Sequence, residues 1–298
     1  MKLGRASLSN FCFKGGIMPL ELDVINARKL AKDRLKEAGI CGTTDADFIL
    51  ANILGVEMGV LNSIEKLTPS QAKKFAKDIG SRCKHIPLDK IIGYTEFLGL
   101  KIPFNKCVLT PRQETEILAD MIIKDIGSKK LTLLDMCSGS GCIGLSIAKA
   151  TGVAVTLADI SKKANAIARK NAEYNGVSVS ILHSNLFDNV PTKFDIIVSN
   201  PPYIRRKDLE KLEIEVRDFD PRLALDGGED GLDFYREIVY NAPKYLEDNG
   251  MLYLEIGIDQ SKDIVDIMGK DFVDIKVIKD YSGIDRFIIA KKRDKNVK

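Results

Sequence analysis

The sequence is poor in the residues from which zinc sites and disulfide frameworks are built. Only two of its 298 residues are histidine, and its six cysteines are scattered, with no Cys-x-x-Cys pair. A structural zinc site takes four grouped Cys or His ligands, and disulfide-rich domains carry regularly spaced cysteines. Neither class of protein fits this chain, and we expect no metal site.

Long hydrophobic runs are absent as well. No apolar stretch approaches the roughly 20 residues that span a bilayer, and residues 1–16 lack the continuous apolar region of a signal peptide. These absences predict a cytoplasmic protein with no membrane partner.

A basic excess is missing from the larger part of the chain. Residues 1–110 hold 17 Lys and Arg against 11 Asp and Glu, whereas residues 111–298 hold 28 against 31. Enzymes that act on nucleic acids usually surround their site with basic side chains that neutralise phosphates. We therefore expect no direct nucleic-acid substrate.

The residues that are present divide the chain into segments. Residues 18–90 show helical periodicity, with one helix ending at Gly39 and another starting at the capping box of residues 68–71. They predict a small helical bundle for substrate recognition. Residues 91–110 contain the alternating run YTEFLGLKIPF and predict a β-hairpin linker. Residues 1–17 fit no element, and we expect an extension or a mis-assigned start before Met18.

Strands and helices alternate from residue 111 to residue 298. Near-continuous apolar strands joined by helical crossovers predict a mostly parallel sheet covered on both faces, which is a Rossmann-like α/β fold. The last segment, DRFIIAKK, predicts an antiparallel edge strand. The other predicted strands are LTLLDM (131–136), VAVTLAD (153–159), VSILHS (179–184), FDIIVS (194–199) and GMLYLEI (250–256).

A glycine-rich turn, DMCSGSGCIG, follows the first of these strands and opens a helix. Its glycines match G-x-G-x-x-G, and Asp159 ends the next strand 18 residues after Gly141, where a ribose-binding carboxylate belongs. The pattern implies a nucleoside cofactor, with NAD as a competitor.

Asp135, at the end of the strand before the turn, discriminates between these cofactors. It gives Asp-x-x-x-Gly-x-Gly, which is typical of enzymes that use S-adenosylmethionine. Carboxylates suit the sulfonium and ammonium groups of that cofactor and would repel a pyrophosphate. The alternative for Asp135 is a helix or loop cap, which its register with the glycines makes less favoured.

The run FDIIVSNPPYI places an asparagine, two prolines and a tyrosine directly after a predicted strand. The corner lies at the carboxyl edge of the sheet, where ligands bind in doubly wound folds. Asn200 Oδ1 and the Pro201 carbonyl can accept both hydrogens of a planar amide –NH₂, while Pro201 and Pro202 keep N–H donors away and Tyr203 packs on the flat group. The alternative is a strand stop without a catalytic role.

Taken together, these motifs resemble the HemK/PrmC family of protein-(glutamine-N5) methyltransferases. The resemblance implies methyl transfer from S-adenosylmethionine to a glutamine of class-1 peptide chain release factors, leaving S-adenosylhomocysteine. We also expect the protein to be a monomer. The matching stretches are IGYTEFLGL, LTPRQETE, LLDMCSGSGCIGLSIA, SNPPYI, LALDGGEDGLDFYREI, LEIG and the late DRF.

The resemblance also assigns residues. It implies cofactor contacts at Cys137, Ser138, Gly139, Ser140, Gly141, Asp159, Asn185, Leu186 and Asn200, and substrate contacts at Asn200, Pro201, Pro202, Tyr203, Arg112 and Glu114. The chain departs from the family pattern in two places, with Asn185 where Asp is common and Asp220 where Glu is usual. A ribosomal-protein glutamine, a nucleic-acid amino group and an NAD-dependent oxidation remain as alternatives.

Overall fold

The structure is a computed structural model that describes residues 22–40 and 44–294. The chain divides into two compact units at the boundary between Gly93 and Tyr94. The proposed extension at residues 1–17 lies outside the described residues. Within the part that the structure covers, no helix is both long and apolar enough to cross a membrane.

The first unit is a small helical bundle. The Thr68 side chain accepts the Gln71 N–H, and Gln71 Oε1 accepts the Thr68 N–H, so the capping box predicted from the sequence is confirmed. The helical faces enclose a core that includes Leu35, Leu50 and Phe75. The elements are β1 (Leu22–Asp23), α1 (Val24–Glu37), α2 (Asp45–Leu54), β2 (Lys66–Leu67), α3 (Pro69–Arg82) and α4 (Leu88–Ile92), with a 3₁₀ turn at Met58–Ser63.

The second unit begins with the predicted hairpin. Strands β3 (Tyr94–Phe97) and β4 (Leu100–Pro103) pair antiparallel, and Gly99 takes the left-handed backbone that the tight turn requires. Phe97 and Ile102 are fully buried in the core of the sheet that follows. The hairpin is thus part of the second unit.

A seven-stranded sheet with helices on both faces forms the body of this unit. Its strand order is β10-β11-β9-β8-β5-β6-β7, and β9, β8, β5, β6 and β7 run parallel. The sheet elements are α5 (Gln113–Ile126), β5 (Thr132–Met136), α6 (Cys142–Thr151), β6 (Ala154–Asp159), α7 (Lys162–Asn175), β7 (Ser180–His183), β8 (Phe194–Ser199), α8 (Ile214–Arg217), α9 (Asp233–Tyr245), β9 (Leu246–Glu255), α10 (Ser261–Met268), β10 (Phe272–Lys279) and β11 (Asp285–Lys292).

Neighbouring residues of the central strands enter different cores. Leu133 and Ile196 belong to the core on the side of α5 and α6, whereas Leu134 and Ile197 belong to the core on the side of α9 and α10. Successive side chains of a strand point to opposite faces, so a sheet covered on both sides needs apolar residues at every position. The predicted Rossmann-like fold is confirmed.

The prediction of DRFIIAKK as an edge strand is wrong. The segment forms β11, which is antiparallel as expected but lies between β9 and β10, with Phe287 to Ala290 buried. The edge strand at this end of the sheet is β10, whose mostly exposed and partly buried residues were not recognised as a strand from the sequence. A continuous apolar run needs cover on both faces and both edges, and the half-polar β10 can face solvent.

The third glycine of the loop motif lets α6 approach the sheet. A Cβ at Gly144 would lie 3.0 Å from Asp135 Oδ2, 3.0 Å from Val155 Cγ1 and closer still to the Leu157 side chain. This contact is the packing role that the third position of G-x-G-x-x-G has in dinucleotide-binding folds.

Gly144→Ala is expected to lower the free energy of unfolding by about 1–3 kcal/mol, because the added methyl group overpacks the contact between α6 and the sheet. Gly80→Ala is the matched control. Gly80 lies inside α3 with no atom within 4 Å of an added Cβ, and alanine there should add about 0.5–1 kcal/mol. Urea unfolding followed by circular dichroism measures both changes, and a Gly144→Ala variant as stable as the wild type would contradict the packing role.

Candidate active site

A cleft opens at the carboxyl edge of the sheet, above the ends of β5, β6 and β8. It contains about 1040 Å³ of empty space and is lined by the glycine loop, Asp159, Asn185 and Asn200. The chain runs from β5 outward to β6 and β7, and then returns to place β8 and β9 on the other side of β5. The cleft therefore lies at the switch point of the sheet, where doubly wound folds bind their ligands.

The glycine loop turns sharply between β5 and α6. Cys137, Gly139 and Gly141 all have left-handed backbones, with φ of 60°, 55° and 80°. Cys137, Ser138, Gly139 and Ser140 line the cleft, whereas Gly141 packs towards Leu157. Burial raises the pKa of the Cys137 thiol to about 12, so it remains protonated and is not a nucleophile near neutral pH.

Asp159 ties the glycine loop to the start of the next helix. Its Oδ2 accepts the Gly139 N–H at 2.9 Å, and its Oδ1 accepts the Ser161 N–H at 2.7 Å. Burial raises the pKa of this carboxyl, and the two N–H donors oppose the shift. The carboxylate lies at the wall of the cleft, where the ribose-binding residue was expected.

Asp135 has a different position from the one that the sequence suggested. It is fully buried, lies outside the lining of the cleft, and its Oδ2 accepts the Gly144 N–H at 2.9 Å in the first turn of α6. Burial raises its pKa to about 7, and Oδ1 has no hydrogen-bond partner among the described residues. The residue caps the helix behind the loop, which is the interpretation that the sequence made less favoured.

Asn185 and Leu186 lie beyond the end of β7 and line the opposite side of the cleft. Leu186 has a left-handed backbone with φ of 46°, and its carbonyl accepts the Ser184 hydroxyl at 2.6 Å. The turn directs both residues towards the space next to Asp159. Both of these implied cofactor contacts therefore belong to the same cleft as the glycine loop.

The Asn-Pro-Pro-Tyr corner separates two clefts. Asn200 and Pro202 line the large cleft, Tyr203 lines a smaller one of about 880 Å³, and Asn200 belongs to both. Pro201 is buried and lines neither of them. Burial raises the pKa of Tyr203 to about 12, so its hydroxyl stays protonated and serves no role as a base near neutral pH.

The loop at residues 225–231 packs against the Asn-Pro-Pro-Tyr corner and forms hydrogen bonds with the residue that follows it. Ile204 and Leu225 are joined by a backbone hydrogen bond, and the Gly227 N–H donates to the Ile204 carbonyl at 2.9 Å. A Cβ at Gly227 would lie 2.7 Å from Tyr203 Cα, and Gln260 Nε2 donates to the Tyr203 carbonyl at 3.0 Å. These contacts give the glycines of LALDGGEDGLDFYREI, one of the stretches that match the family, a role in packing against the corner.

Arg112 and Glu114 mark the start of α5 at the rim of the clefts. Arg112 lines both of them and forms an ion pair with Asp220 at 3.0 Å. The other carboxylate oxygen of Asp220 accepts the Thr110 hydroxyl at 3.2 Å. Glu114 lines the smaller cleft only. Asp220, one of the departures from the family pattern, thus anchors the rim despite its shorter side chain.

Sequence reasoning missed one buried group next to Asn200. Glu255, at the end of β9, is 2% exposed and accepts the Thr115 hydroxyl at 2.7 Å. Asn200 Nδ2 donates to the same hydroxyl at 3.4 Å. The stretch LEIG contains Glu255, but a glutamate after an apolar run usually indicates the solvent-exposed end of a strand. The only signal in the sequence was that this carboxylate lies inside a stretch that matches the family pattern.

Comparison with known proteins agrees with this geometry. The family model "Methyltransferase small domain" matches residues 112–216, and the model "PrmC N-terminal domain" matches residues 26–93. A methyltransferase crystal structure from Pyrococcus furiosus has a TM-score of 0.50 at 20% identity, covering 65% of this chain and 89% of that one, which supports the fold alone. The fold and the match to a methyltransferase domain together define a Rossmann-like methyltransferase.

Curated relatives specify the family. The release factor glutamine methyltransferase of Geobacter sulfurreducens is 38% identical over 82% of this chain and 87% of that protein. The enzyme of the same name from Agrobacterium fabrum is 37% identical over 92% of this chain and 98% of that protein. The chain belongs to the HemK/PrmC family of release factor glutamine methyltransferases, and the resemblance seen in the sequence is confirmed.

Asp135→Asn is expected to flatten the pH dependence of stability. The folded protein keeps a proton on Asp135 up to about pH 7 that the unfolded chain releases near its ordinary pKa, so this contribution to stability is lost as the pH rises between the two values. The slope is at most about 1.4 kcal/mol per pH unit.

Asparagine keeps an acceptor for the Gly144 N–H and cannot ionise. The variant should therefore gain stability relative to the wild type as the pH is raised from about 5 to about 7. Urea unfolding without cofactor at several pH values measures this difference. Parallel curves for the two proteins would show that the carboxyl does not titrate with folding.

Proposed function

We propose that this protein transfers the methyl group of S-adenosylmethionine to the side-chain amide N5 of a glutamine in a class-1 peptide chain release factor. The observation that carries the proposal is the position of Asn200 at the junction of two clefts. One cleft is lined by the glycine loop and Asp159, and the other by Tyr203 and Glu114. A cofactor in the first and a side chain entering from the second would meet at this residue.

The residues of the large cleft suit S-adenosylmethionine. The cofactor supplies an electrophilic methyl group on a cationic sulfur. The glycine loop carries no Lys or Arg to neutralise a pyrophosphate, and the Asp159 carboxylate lies where a ribose hydroxyl can donate to it. Ser138 and Gly139 offer a close approach along the loop, and Asn185 and Leu186 border the space for a base. These features favour S-adenosylmethionine over NAD.

The corner supplies the chemistry that an amide nitrogen needs. An amide lone pair is delocalised, so the nitrogen is a poor nucleophile and its orientation decides the rate. Asn200 Oδ1, at the junction of the two clefts, accepts one of its hydrogens, and Pro202 and Tyr203 confine the planar group. No strong base is required, since the methylated nitrogen carries a positive charge and releases a proton readily.

The substrate class follows from the relatives, which are named for release factors. A glutamine of a ribosomal protein would need the same site, so both substrates must be offered to the enzyme. Incubation of the purified protein with labelled S-adenosylmethionine and either substrate, followed by mass mapping of the methylated peptide, tests the proposal. Label on a glutamine of the release factor supports it, and label only on the ribosomal protein overturns it.

The helical unit is proposed to recognise the protein partner. Residues 18–90 hold 12 Lys and Arg against 10 Asp and Glu, a small basic excess that the sheet-forming part of the chain lacks. The family model for this part of the chain is one for an N-terminal domain of the same methyltransferases.

Asp159→Ala should weaken binding of S-adenosylhomocysteine by roughly 1.5–3 kcal/mol, the scale of a hydrogen bond to a charged group. Asp195→Ala is the matched control. Asp195 also accepts two hydrogen bonds, from the Thr132 N–H and hydroxyl, but it lies at the amino end of β8. Calorimetry measures both variants. Unchanged affinity in Asp159→Ala would mean that the ribose is held elsewhere.

Asn200→Ala should lower kcat by a factor on the order of 10² to 10³, the effect of removing one preorganised hydrogen bond to the reacting group. Cofactor affinity should change far less, because the glycine loop and Asp159 remain. Asn241→Ala, on the exposed face of α9, is the control. Single-turnover methyl transfer at saturating substrates measures the rate. A rate within about threefold of the wild type would mean that the corner only ends the strand and has no catalytic role.

A further inference from the structure

A buried hydrogen-bonded chain runs from Glu255 through Thr115 to Asn200. The Thr115 side chain is carried by α5, Glu255 ends β9 and Asn200 follows β8, so three separate elements supply the chain. Thr115 is 3% exposed and Glu255 is 2% exposed, and the Thr115 hydroxyl lies 2.7 Å from Glu255 Oε2. Asn200 Nδ2 lies 3.4 Å from the same hydroxyl oxygen.

While Glu255 is ionised, the donors and acceptors in this chain can be arranged in only one direction. An ionised carboxylate only accepts, so the Thr115 hydroxyl must give its single hydrogen to Glu255. The Thr115 oxygen can then only accept, and the Asn200 group that faces it must be the –NH₂. The amide of Asn200 is planar, so its Oδ1 points away from Thr115.

We propose that Glu255 and Thr115 are positioning residues that orient the Asn200 amide so that Oδ1 accepts the N–H of the substrate glutamine. The inference rests on the function proposed above, because it assigns the partner of Oδ1. Without the chain, the Asn200 amide could turn over and present its own –NH₂ to the substrate amide, and two donors would then face each other.

Burying the ionised Glu255 carboxylate costs stability, and its packing does not explain why it is there. The Thr115 hydroxyl favours the ionised form of Glu255 through its hydrogen bond, and the charge of Arg286 favours it less strongly. The Arg286 guanidinium itself donates to Asp280 and to the Ile256 carbonyl. A buried carboxylate that takes its hydrogen bond from a neutral hydroxyl beside a cleft is typical of a functional site.

The ionisation of Glu255 sets the pH at which this arrangement holds. Burial raises its pKa to about 7. Below that pH the carboxyl carries a proton and can donate to Thr115, so the direction of the chain is no longer fixed. The titratable and charged groups that face it are Glu114 on α5, Cys142 on α6, Tyr203 after β8, Tyr235 on α9 and Arg286 on β11.

The test compares Thr115→Val, Thr115→Ser and Glu255→Gln in the full chain. Valine has the shape of threonine without its hydroxyl, and kcat for release-factor methylation should fall about 10- to 100-fold, as expected for one lost hydrogen bond and a misaligned reacting group. Serine keeps the hydroxyl, and kcat should stay within about threefold of the wild type. Calorimetric affinity for S-adenosylhomocysteine should change by less than about twofold in all three, since the glycine loop is intact.

Glu255→Gln conserves the shape of the chain but no longer fixes its direction, because an amide both donates and accepts. The glutamine –NH₂ can donate to Thr115, which then donates to Asn200 Oδ1 and holds that oxygen away from the substrate. The kcat should therefore fall towards that of Thr115→Val. Wild-type kcat should rise with pH through about pH 7 as Glu255 ionises, and this rise should be absent in Glu255→Gln. A rise that survives in the variant would come from another group, such as Asp135 with its similar pKa, and would overturn the role of Glu255.

Thr132→Val is the matched control for stability. Thr132 donates to Asp195 at 2.9 Å, so the variant removes the same kind of bond at the amino edge of the sheet, and its kcat should not change. Unchanged kcat in Thr115→Val, or equal losses in valine and serine variants, would overturn the inference. If Glu255→Gln does not fold, the Thr115 pair decides. A wild type that does not methylate the release factor would instead overturn the proposed function.

Discussion

Parallel pairing of β5 with both β6 and β8 is the constraint on which the site depends. Parallel strands end at the same edge of a sheet, so the turn after β5, the residue that ends β6 and the corner after β8 must all meet there. The glycine loop, Asp159 and Asn200 are about 20 to 60 residues apart in sequence and become neighbours through this pairing. After β5 the sheet extends first to one side through β6 and β7, and then to the other side through β8 and β9. The crevice where the strand order reverses is the cleft.

Two fully buried carboxyl groups accept hydrogen bonds from elements that form this edge of the sheet. Asp135 caps α6 behind the glycine loop, and Glu255 holds Thr115 beside Asn200. Burial raises both pKa values to about 7, so the fold gives up stability near neutral pH to keep these acceptors in place. A preorganised site often contains groups that lower the stability of the fold but hold the residues of the cleft in fixed orientations.

The corner after β8 is rigid because other segments surround it. Two prolines restrict its backbone, and the glycines at 227 and 231 allow their loop to pack directly on Tyr203. Gln260 donates to the Tyr203 carbonyl and to the Gly231 carbonyl, which joins the corner, the loop and the start of α10. Under the proposed function, these distant contacts would keep the corner in the geometry that holds the reacting amide in line with the methyl group.

The sequence alone determined what depends on neighbours a few residues apart. The capping box at Thr68, the apolar strands, the glycine turn and the proline corner are local patterns, and with the family resemblance they were enough for the fold and the two sides of the cleft. Tertiary structure decided the rest. Whether β11 lies inside the sheet, whether Asp135 faces the cleft, and whether Glu255 reaches Asn200 through Thr115 depend on residues up to 140 positions apart. Such contacts exist only after the sheet has formed, and no local pattern encodes them.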